Sequence, residues 1–124
     1  MKRKLSFVAV ALLLVMAFGT MAVFAATSYA SINSTTVKTA TGNLAYANTA
    51  GQATGSNHSS SGSSMSVHLR KNSPDTMVSG SSVSVPKGTT RSGSVVTVPA
   101  AGWYYVRLSY SATPCYGDAF GDFS

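Results

Sequence analysis

Residues 103–110 read WYYVRLSY, and this stretch decides the fold because apolar and mixed side chains alternate along it. A period of two is typical of a β-strand with one face in the core and the other face outside. The more apolar set is predicted to face the core, since a strand buries its apolar side. That set comprises Tyr104, Val106, Leu108 and Tyr110.

Similar patterns upstream of this stretch predict further strands. Met65, Val67 and Leu69 alternate with polar residues, and β-branched runs follow at residues 83–85 and 94–98. Proline, glycine and asparagine separate these runs and favour turns. Short strands at this spacing, without an amphipathic helix, predict an all-β domain: a small antiparallel β-sandwich, either jelly-roll or immunoglobulin-like.

The N-terminal segment, residues 1–25, is predicted to be a secretory signal peptide. Three basic residues at positions 2–4 precede a long apolar run, and small residues suited to signal-peptidase cleavage end it. Cleavage after Ala25, Ala26 or Ala30 fits this pattern. The alternative is an uncleaved membrane anchor, because the apolar run is long enough to span a bilayer. Cleavage predicts a Sec-exported bacterial protein that is secreted or associated with the cell surface.

The remainder of the chain is predicted to divide into two segments. Residues 26–64 are rich in Ser, Thr and Gly, and they are expected to hold one or two short strands, one of them near residues 42–48. Residues 51–64, GQATGSNHSSSGSS, are predicted to form a flexible loop, because Gly and Ser bury little surface. Residues 65–124 are predicted to carry the main strands of the sandwich.

The composition limits the chemistry open to the protein. The chain has no Glu, three Asp, two His and one Cys, and it contains no nucleophile, zinc or phosphate-binding motif. We therefore expect no enzymatic activity, no catalytic residue, no metal site and no cofactor. Beyond residue 25, six basic residues against three Asp give a net charge of +3. That charge is too small to predict a nucleic-acid partner, but it suits a cell-wall polymer or polysaccharide.

One candidate ligand-binding site lies on the outward face of the strand at residues 103–110. Trp103, Tyr105 and Arg107 are two residues apart, so successive side chains on this face are about 6.6–6.8 Å apart. Aromatic rings at that spacing can stack on sugars, and arginine can donate hydrogen bonds to hydroxyls or carboxylates. The alternative is that this face packs under a loop or against the second sheet, or forms an ordinary exterior, since aromatic residues commonly fill strands.

The C-terminal tail, residues 115–124, is expected to form a last short strand and holds two further candidates. Cys115 follows a proline, which favours an exposed loop, and the thiol is expected either to pair with another chain or to be buried and inert. Asp118 and Asp122 are candidate calcium ligands, although their spacing matches no known calcium motif. The alternative is a polar edge strand, on which these two carboxylates share a face that is expected to exclude Phe120.

Residues 96–112, VTVPAAGWYYVRLSYSA, resemble the closing hairpin of secreted bacterial β-sandwich modules, of which pre-peptidase C-terminal domains are one example. In such modules a strand ending in Pro-Ala-Ala-Gly precedes an aromatic-rich strand with a Val-Arg pair. The layout of residues 65–112 is also similar to that of small exported bacterial proteins of unknown function. The resemblance implies a β-sandwich and carries over no catalytic residue.

These observations predict a secreted or cell-envelope-associated protein with a non-catalytic binding or structural role. Its expected partners are a cell-wall polymer or polysaccharide, or a second copy joined through Cys115. Contact with a membrane is expected only if the signal segment is uncleaved. Two alternatives stay open: a secreted antibacterial, bacteriocin-like protein, and a carbohydrate-binding module that uses Trp103 and Tyr105.

Overall fold

The strand pattern of the sequence is realised in two antiparallel sheets. The computed structural model describes residues 24–124, so the predicted signal peptide lies almost wholly outside the described residues. This part of the chain forms eleven strands and no helix. The strands are β1 (Ala26–Ser34), β2 (Thr39–Thr41), β3 (Ala45–Ala47), β4 (Ala50–Asn57), β5 (Met65–Lys71), β6 (Thr76–Met77), β7 (Val83–Val85), β8 (Thr89–Ser92), β9 (Val96–Thr97), β10 (Gly102–Tyr110) and β11 (Cys115–Phe123).

Each sheet is built around long central strands. Sheet A has the order β1-β11-β4-β8, and β9 pairs with β4 on the same edge as β8. Sheet B has the order β2-β10-β5-β6, with β3 beside β10 on the edge of β2 and β7 beside β5 on the edge of β6. The prediction of an all-β domain is confirmed, and the two sheets give a β-sandwich-like arrangement.

The two sheets contribute complementary side chains to the core. Sheet B supplies large residues, and the set predicted from the sequence is buried. Sheet A supplies mostly small residues from β4 and β11. A Cβ atom added to Gly55 would lie 2.7 Å from Val67 Cγ2, and one added to Gly121 would lie 2.9 Å from Leu69. These glycines therefore let large side chains of sheet B approach the backbone of sheet A. The large buried residues include Met65, Val67, Leu69, Tyr104, Val106, Leu108 and Tyr110.

The N-terminal segment contributes more to the fold than the sequence predicted. Residues 26–64 form four strands, among them β1 with nine residues and β4 with eight. The predicted flexible loop at residues 51–64 is wrong over its first half, because β4 pairs with β11 on one side and with β8 and β9 on the other. Only residues 58–64 form a turn. The expected short final strand is also longer, since β11 has nine residues.

Two buried serines complete sheet B where its edge strands are interrupted. Between β2 and β3, the N–H of Val106 donates to Ser28 Oγ at 3.1 Å. Between β6 and β7, the N–H of Leu69 donates to Ser81 Oγ at 3.0 Å. Val106 and Leu69 are paired across β10 and β5. They form a non-hydrogen-bonded pair, so their N–H groups point outward to the two edges of the sheet, where the two hydroxyl groups accept them.

Candidate functional site

The outer face of sheet B holds the binding residues that the sequence predicted. Trp103, Tyr105 and Arg107 point away from the core along β10, and Trp103 is 53 % exposed. The alternate residues of β10 are the ones that pack toward sheet A. The alternative in which Trp103, Tyr105 and Arg107 pack against the second sheet is therefore wrong.

Tyr46 extends the aromatic surface beside Trp103. The two residues are opposite each other across β3 and β10, and their ring centroids are 5.5 Å apart with an interplanar angle of 76°. Edge-to-face packing of this kind holds two rings in a defined relative orientation. Both side chains are about half exposed, so the pair presents an ordered aromatic surface to solvent.

A hydrogen-bonded carboxylate organises the charged part of this face. Asp75 Oδ1 accepts a hydrogen bond from Arg70 Nε at 2.9 Å and another from the Tyr105 hydroxyl at 2.5 Å. Arg70 and Tyr105 are paired across β5 and β10. The hydrogen bond from Arg70, and then the one from Tyr105, lower the pKa of Asp75. Ionised Asp75 thus holds the guanidinium and the phenol in a fixed relation.

Arg107 and His68 add positive and titratable groups to the same face. They are opposite each other across β10 and β5, and His68 Nε2 lies 3.4 Å from a guanidinium nitrogen of Arg70. Partial burial, followed by the positive charges of Arg70 and Arg107, lowers the pKa of His68. Within residues 24–124 the Arg107 guanidinium makes no hydrogen bond, so its donors are open to a ligand.

We name this surface the aromatic–cationic face. A shallow groove of about 280 Å³ lies beside Tyr105 and Asp75 and is bordered by Thr41 and Asn72. The rings can stack on sugars, and the guanidinium groups can bind carboxylate or phosphate oxygens. The arrangement therefore suits a hydroxyl-rich ligand that carries negative charge. The face comprises Tyr46, His68, Arg70, Asp75, Trp103, Tyr105 and Arg107.

The candidate site predicted from the sequence lacked four members of this face, among them His68, which lies opposite Arg107. Tyr46, Arg70 and Asp75 lie far along the chain from Trp103, and strand pairing or a turn brings each of them to it. The alternation of side chains along each strand could have indicated that Arg70 and Tyr46 face outward. Arg70 continues the outward set that includes His68, and Tyr46 lies between two alanines. Neither pattern indicates which strand will be the neighbour.

The exposure expected for Cys115 is wrong. Its side chain is fully buried at the start of β11, and Sγ lies 3.5 Å from the carbonyl oxygen of Ala112. Burial raises the pKa of the thiol, which lowers the fraction of reactive thiolate. Pairing with another chain would require the end of β11 to open, so this geometry gives the predicted intermolecular disulfide no support.

Asp118 and Asp122 lie on the outer face of sheet A with Phe120 between them. The expectation that their face excludes Phe120 is wrong, because residues two apart on a strand point the same way. The two aspartates are four positions apart on β11, so their Cα atoms are about 13 Å apart. Tyr29 donates to Asp118 at 2.6 Å and Thr27 donates to Asp122 at 3.0 Å. The carboxylates thus do not converge on one calcium ion, and residues 24–124 hold no cluster of three candidate metal ligands.

A larger polar groove crosses the outer face of sheet A. It has a volume of about 530 Å³, and Asn33, Ser56, His58, Tyr116 and Asp118 are among the residues that line it. The groove holds an aspartate and no arginine or lysine. It is therefore less suited to an anionic ligand than the aromatic–cationic face.

Comparison with known proteins assigns no family to this chain, so a functional assignment depends on the geometry of the site. A scan of protein-family models and a search of curated protein sequences gave no match to this chain. The resemblance of residues 96–112 to secreted β-sandwich modules therefore stays a prediction. No helix in the described part of the chain is long and apolar enough to cross a membrane.

Proposed function

We propose that this is an exported, non-catalytic binding protein whose aromatic–cationic face takes an anionic carbohydrate of the cell envelope. The observation that carries the proposal is the ordered aromatic pair of Trp103 and Tyr46 on the same sheet face as Arg70 and Arg107.

The two kinds of side chain match the two features of such a ligand. The apolar faces of sugar rings stack on exposed aromatic rings, and carboxylate or phosphate groups accept hydrogen bonds from guanidinium groups. Arg70 already forms an ion pair with Asp75, so Arg107 is the main contact for the negative charge of the ligand. An open sheet face is better suited to an extended polymer than to a small ligand, which usually binds in an enclosed pocket.

The export part of the proposal rests on the sequence before β1, and the packing of β1 distinguishes between the candidate cleavage sites. β1 begins at Ala26, and its residues Ser28 and Ala30 are buried. Cleavage after Ala25 would leave the strand whole, whereas cleavage after Ala30 would remove its first five residues. Among the cleavage sites that the sequence allows, we favour Ala25. We also propose that the two sheets have a jelly-roll or immunoglobulin-like topology.

A polysaccharide-binding assay with a matched aromatic control tests this function. The secreted protein, with its N-terminus defined by intact mass, is applied to isolated cell walls, to polygalacturonate as an anionic polysaccharide and to dextran as a neutral one. We expect retention on the first two. Replacing Trp103 and Tyr46 together by Ala, or Arg107 by Gln, is expected to weaken binding about tenfold or more.

The control removes two exposed aromatic rings from the other sheet. Tyr29 and Phe120 lie on the outer face of sheet A with ring centroids 4.9 Å apart, and replacing both by Ala should leave binding unchanged. Loss of binding in this control equal to that of the Trp103 and Tyr46 variant would contradict the site. Failure of the unmodified protein to bind either anionic material would contradict the function.

A further inference from the structure

The four sheet edges of the molecule are not equally protected. Three edges consist of two short strands in tandem, each of two to four residues, and such interrupted edges are poor templates for another strand. The fourth edge is β1, which has nine residues in continuous register with β11. β1 reads ATSYASINS and has no charged residue and no proline, the usual devices that block edge pairing.

Half of the open edge of β1 is already occupied by a side chain. The Tyr29 N–H donates to Asn43 Oδ1 at 2.9 Å, and Asn43 Nδ2 donates to the Thr27 carbonyl oxygen at 3.3 Å. Asn43 therefore covers the start of the edge as a neighbouring strand would. Its contacts also show that the backbone groups of Thr27 and Tyr29 point away from β11.

The other half of the edge has no such cover. Backbone groups alternate in direction along an antiparallel strand, so the N–H and C=O groups of Ser31 and Asn33 also point away from β11. Both residues are exposed, and these four groups make no hydrogen bond with any residue in the described range. Ile32 lies between them with its own backbone directed to β11 and its side chain buried.

We propose that β1 pairs with β1 of a second copy of this chain, antiparallel and centred on Ile32. In this register Ser31 faces Asn33 of the second copy, and each such pair exchanges two N–H···O bonds. The two symmetric pairs satisfy all four open groups, because each N–H donates to a C=O of the other copy and each C=O accepts from an N–H. A two-fold contact of this kind is self-complementary and closes as a dimer.

Asn43 fixes the register and limits the extent of this pairing. Longer overlap would have to displace its hydrogen bonds to Thr27 and Tyr29, so the seam stays three residues long on each side. Because β1 carries no charge, the two copies meet without like-charge repulsion along the seam. A seam of four hydrogen bonds predicts a weak dimer, with a Kd on the order of 0.1–1 mM.

Amide hydrogen exchange and sedimentation on the unmodified protein give the first test. The protein is used in the form that the expressing cell secretes, from about 20 µM to about 2 mM, a range that brackets the expected Kd. The weight-average mass should rise toward the dimer. Exchange at the Ser31 and Asn33 amides should slow with concentration, while the Thr27 amide should be unaffected. Constant mass and constant exchange at both amides over this range would overturn the proposal.

A proline scan of the edge gives a second, independent test. Asn33→Pro removes an outward N–H that the monomer does not use, and proline is tolerated on a solvent-facing edge. This variant should remain monomeric at about 2 mM. Thr27→Pro removes an outward N–H outside the proposed seam and should dimerise as the unmodified protein does. Equal dimerisation of the folded Asn33→Pro variant would place the contact elsewhere and reject the β1 seam.

Discussion

At the scale of single residues, the fold depends on a few hydroxyl groups in a chain that is rich in serine. Most serines lie on outer faces or in turns, but Ser28 and Ser81 are fully buried and accept backbone N–H groups of sheet B. A buried N–H without an acceptor costs about 1–3 kcal/mol. The sequence gives no indication of these roles, because each hydroxyl accepts an N–H at a gap between two edge strands. The position of that gap depends on strand pairing with residues elsewhere in the chain.

Replacing Ser81 by Ala is expected to lower the free energy of unfolding by about 1–3 kcal/mol, because the Leu69 N–H loses its acceptor in the core. Urea unfolding followed by fluorescence measures this change. The exposed neighbour Ser82 provides the control, and Ser82→Ala should change stability by less than about 0.5 kcal/mol. Equal effects of the two substitutions would argue against the hydrogen bond as the cause.

The candidate site was partly predictable at this scale. Trp103, Tyr105 and Arg107 could be identified because local spacing along one strand decides which side chains share a face. Tyr46 and Arg70 join them through β3 and β5, and the register of those strands follows from long-range packing. The exposure of Cys115 was misjudged because the preceding proline favours a loop, whereas β11 begins at the cysteine itself.

At the scale of elements, strands with large inward side chains could be predicted and strands with small ones could not. β5 and β10 carry valine, leucine, methionine and tyrosine inward, so their alternation is visible. β4 alternates too, but its inward residues include Gly51, Ala53 and Gly55. Glycine in a sequence indicates a flexible segment, whereas here it provides room for the large side chains of the opposite sheet.

The packing role of these glycines predicts that a single added methyl group destabilises the sandwich. In Gly55→Ala the new Cβ would lie 2.7 Å from Val67 Cγ2 and 2.8 Å from Val85 Cγ2, and branched valines cannot easily move aside. We expect the free energy of unfolding to fall by about 1–3 kcal/mol. Gly102→Ala is the control, because its nearest neighbour, Lys71 Cε, is 3.8 Å away. Thermal unfolding gives the Tm of both variants. A Tm of Gly55→Ala equal to that of the unmodified protein would refute overpacking.

At the scale of the whole molecule, the two outer faces differ in charge. Sheet B presents Arg70 and Arg107 with one carboxylate, Asp75, whereas sheet A presents Asp118 and Asp122. Composition predicts a modest net charge but not this division, which depends on which strands share a sheet. In the proposed dimer the two-fold axis is perpendicular to sheet A, so both aromatic–cationic faces would lie on one side. Such a dimer would bind one extended polymer at two points and gain avidity.

Partial burial of His68 beside two arginines predicts that the stability of the molecule depends on pH. Partial burial and then the charges of Arg70 and Arg107 lower the pKa of His68 in the folded chain below its ordinary value of 6.5. At a pH above 6.5 the His68 ring is neutral in both the folded and the unfolded chain, so protonation of His68 takes nothing from the stability. As the pH falls through 6.5, the unfolded chain takes up the proton first, so stability falls until the pH passes the folded pKa.

Replacing His68 by Gln removes this proton uptake and is expected to flatten the decline in unfolding free energy between about pH 7 and pH 5. Urea unfolding at half-unit pH steps measures the slope for both proteins, and the difference at pH 8 provides the reference for any loss of packing. The pKa of Asp75 is also lowered, from 3.8, so its own contribution is lost only at more acidic pH and leaves this window clear. An equally steep decline in His68→Gln would assign the acid sensitivity to other groups, and a flat profile would locate it at the aromatic–cationic face.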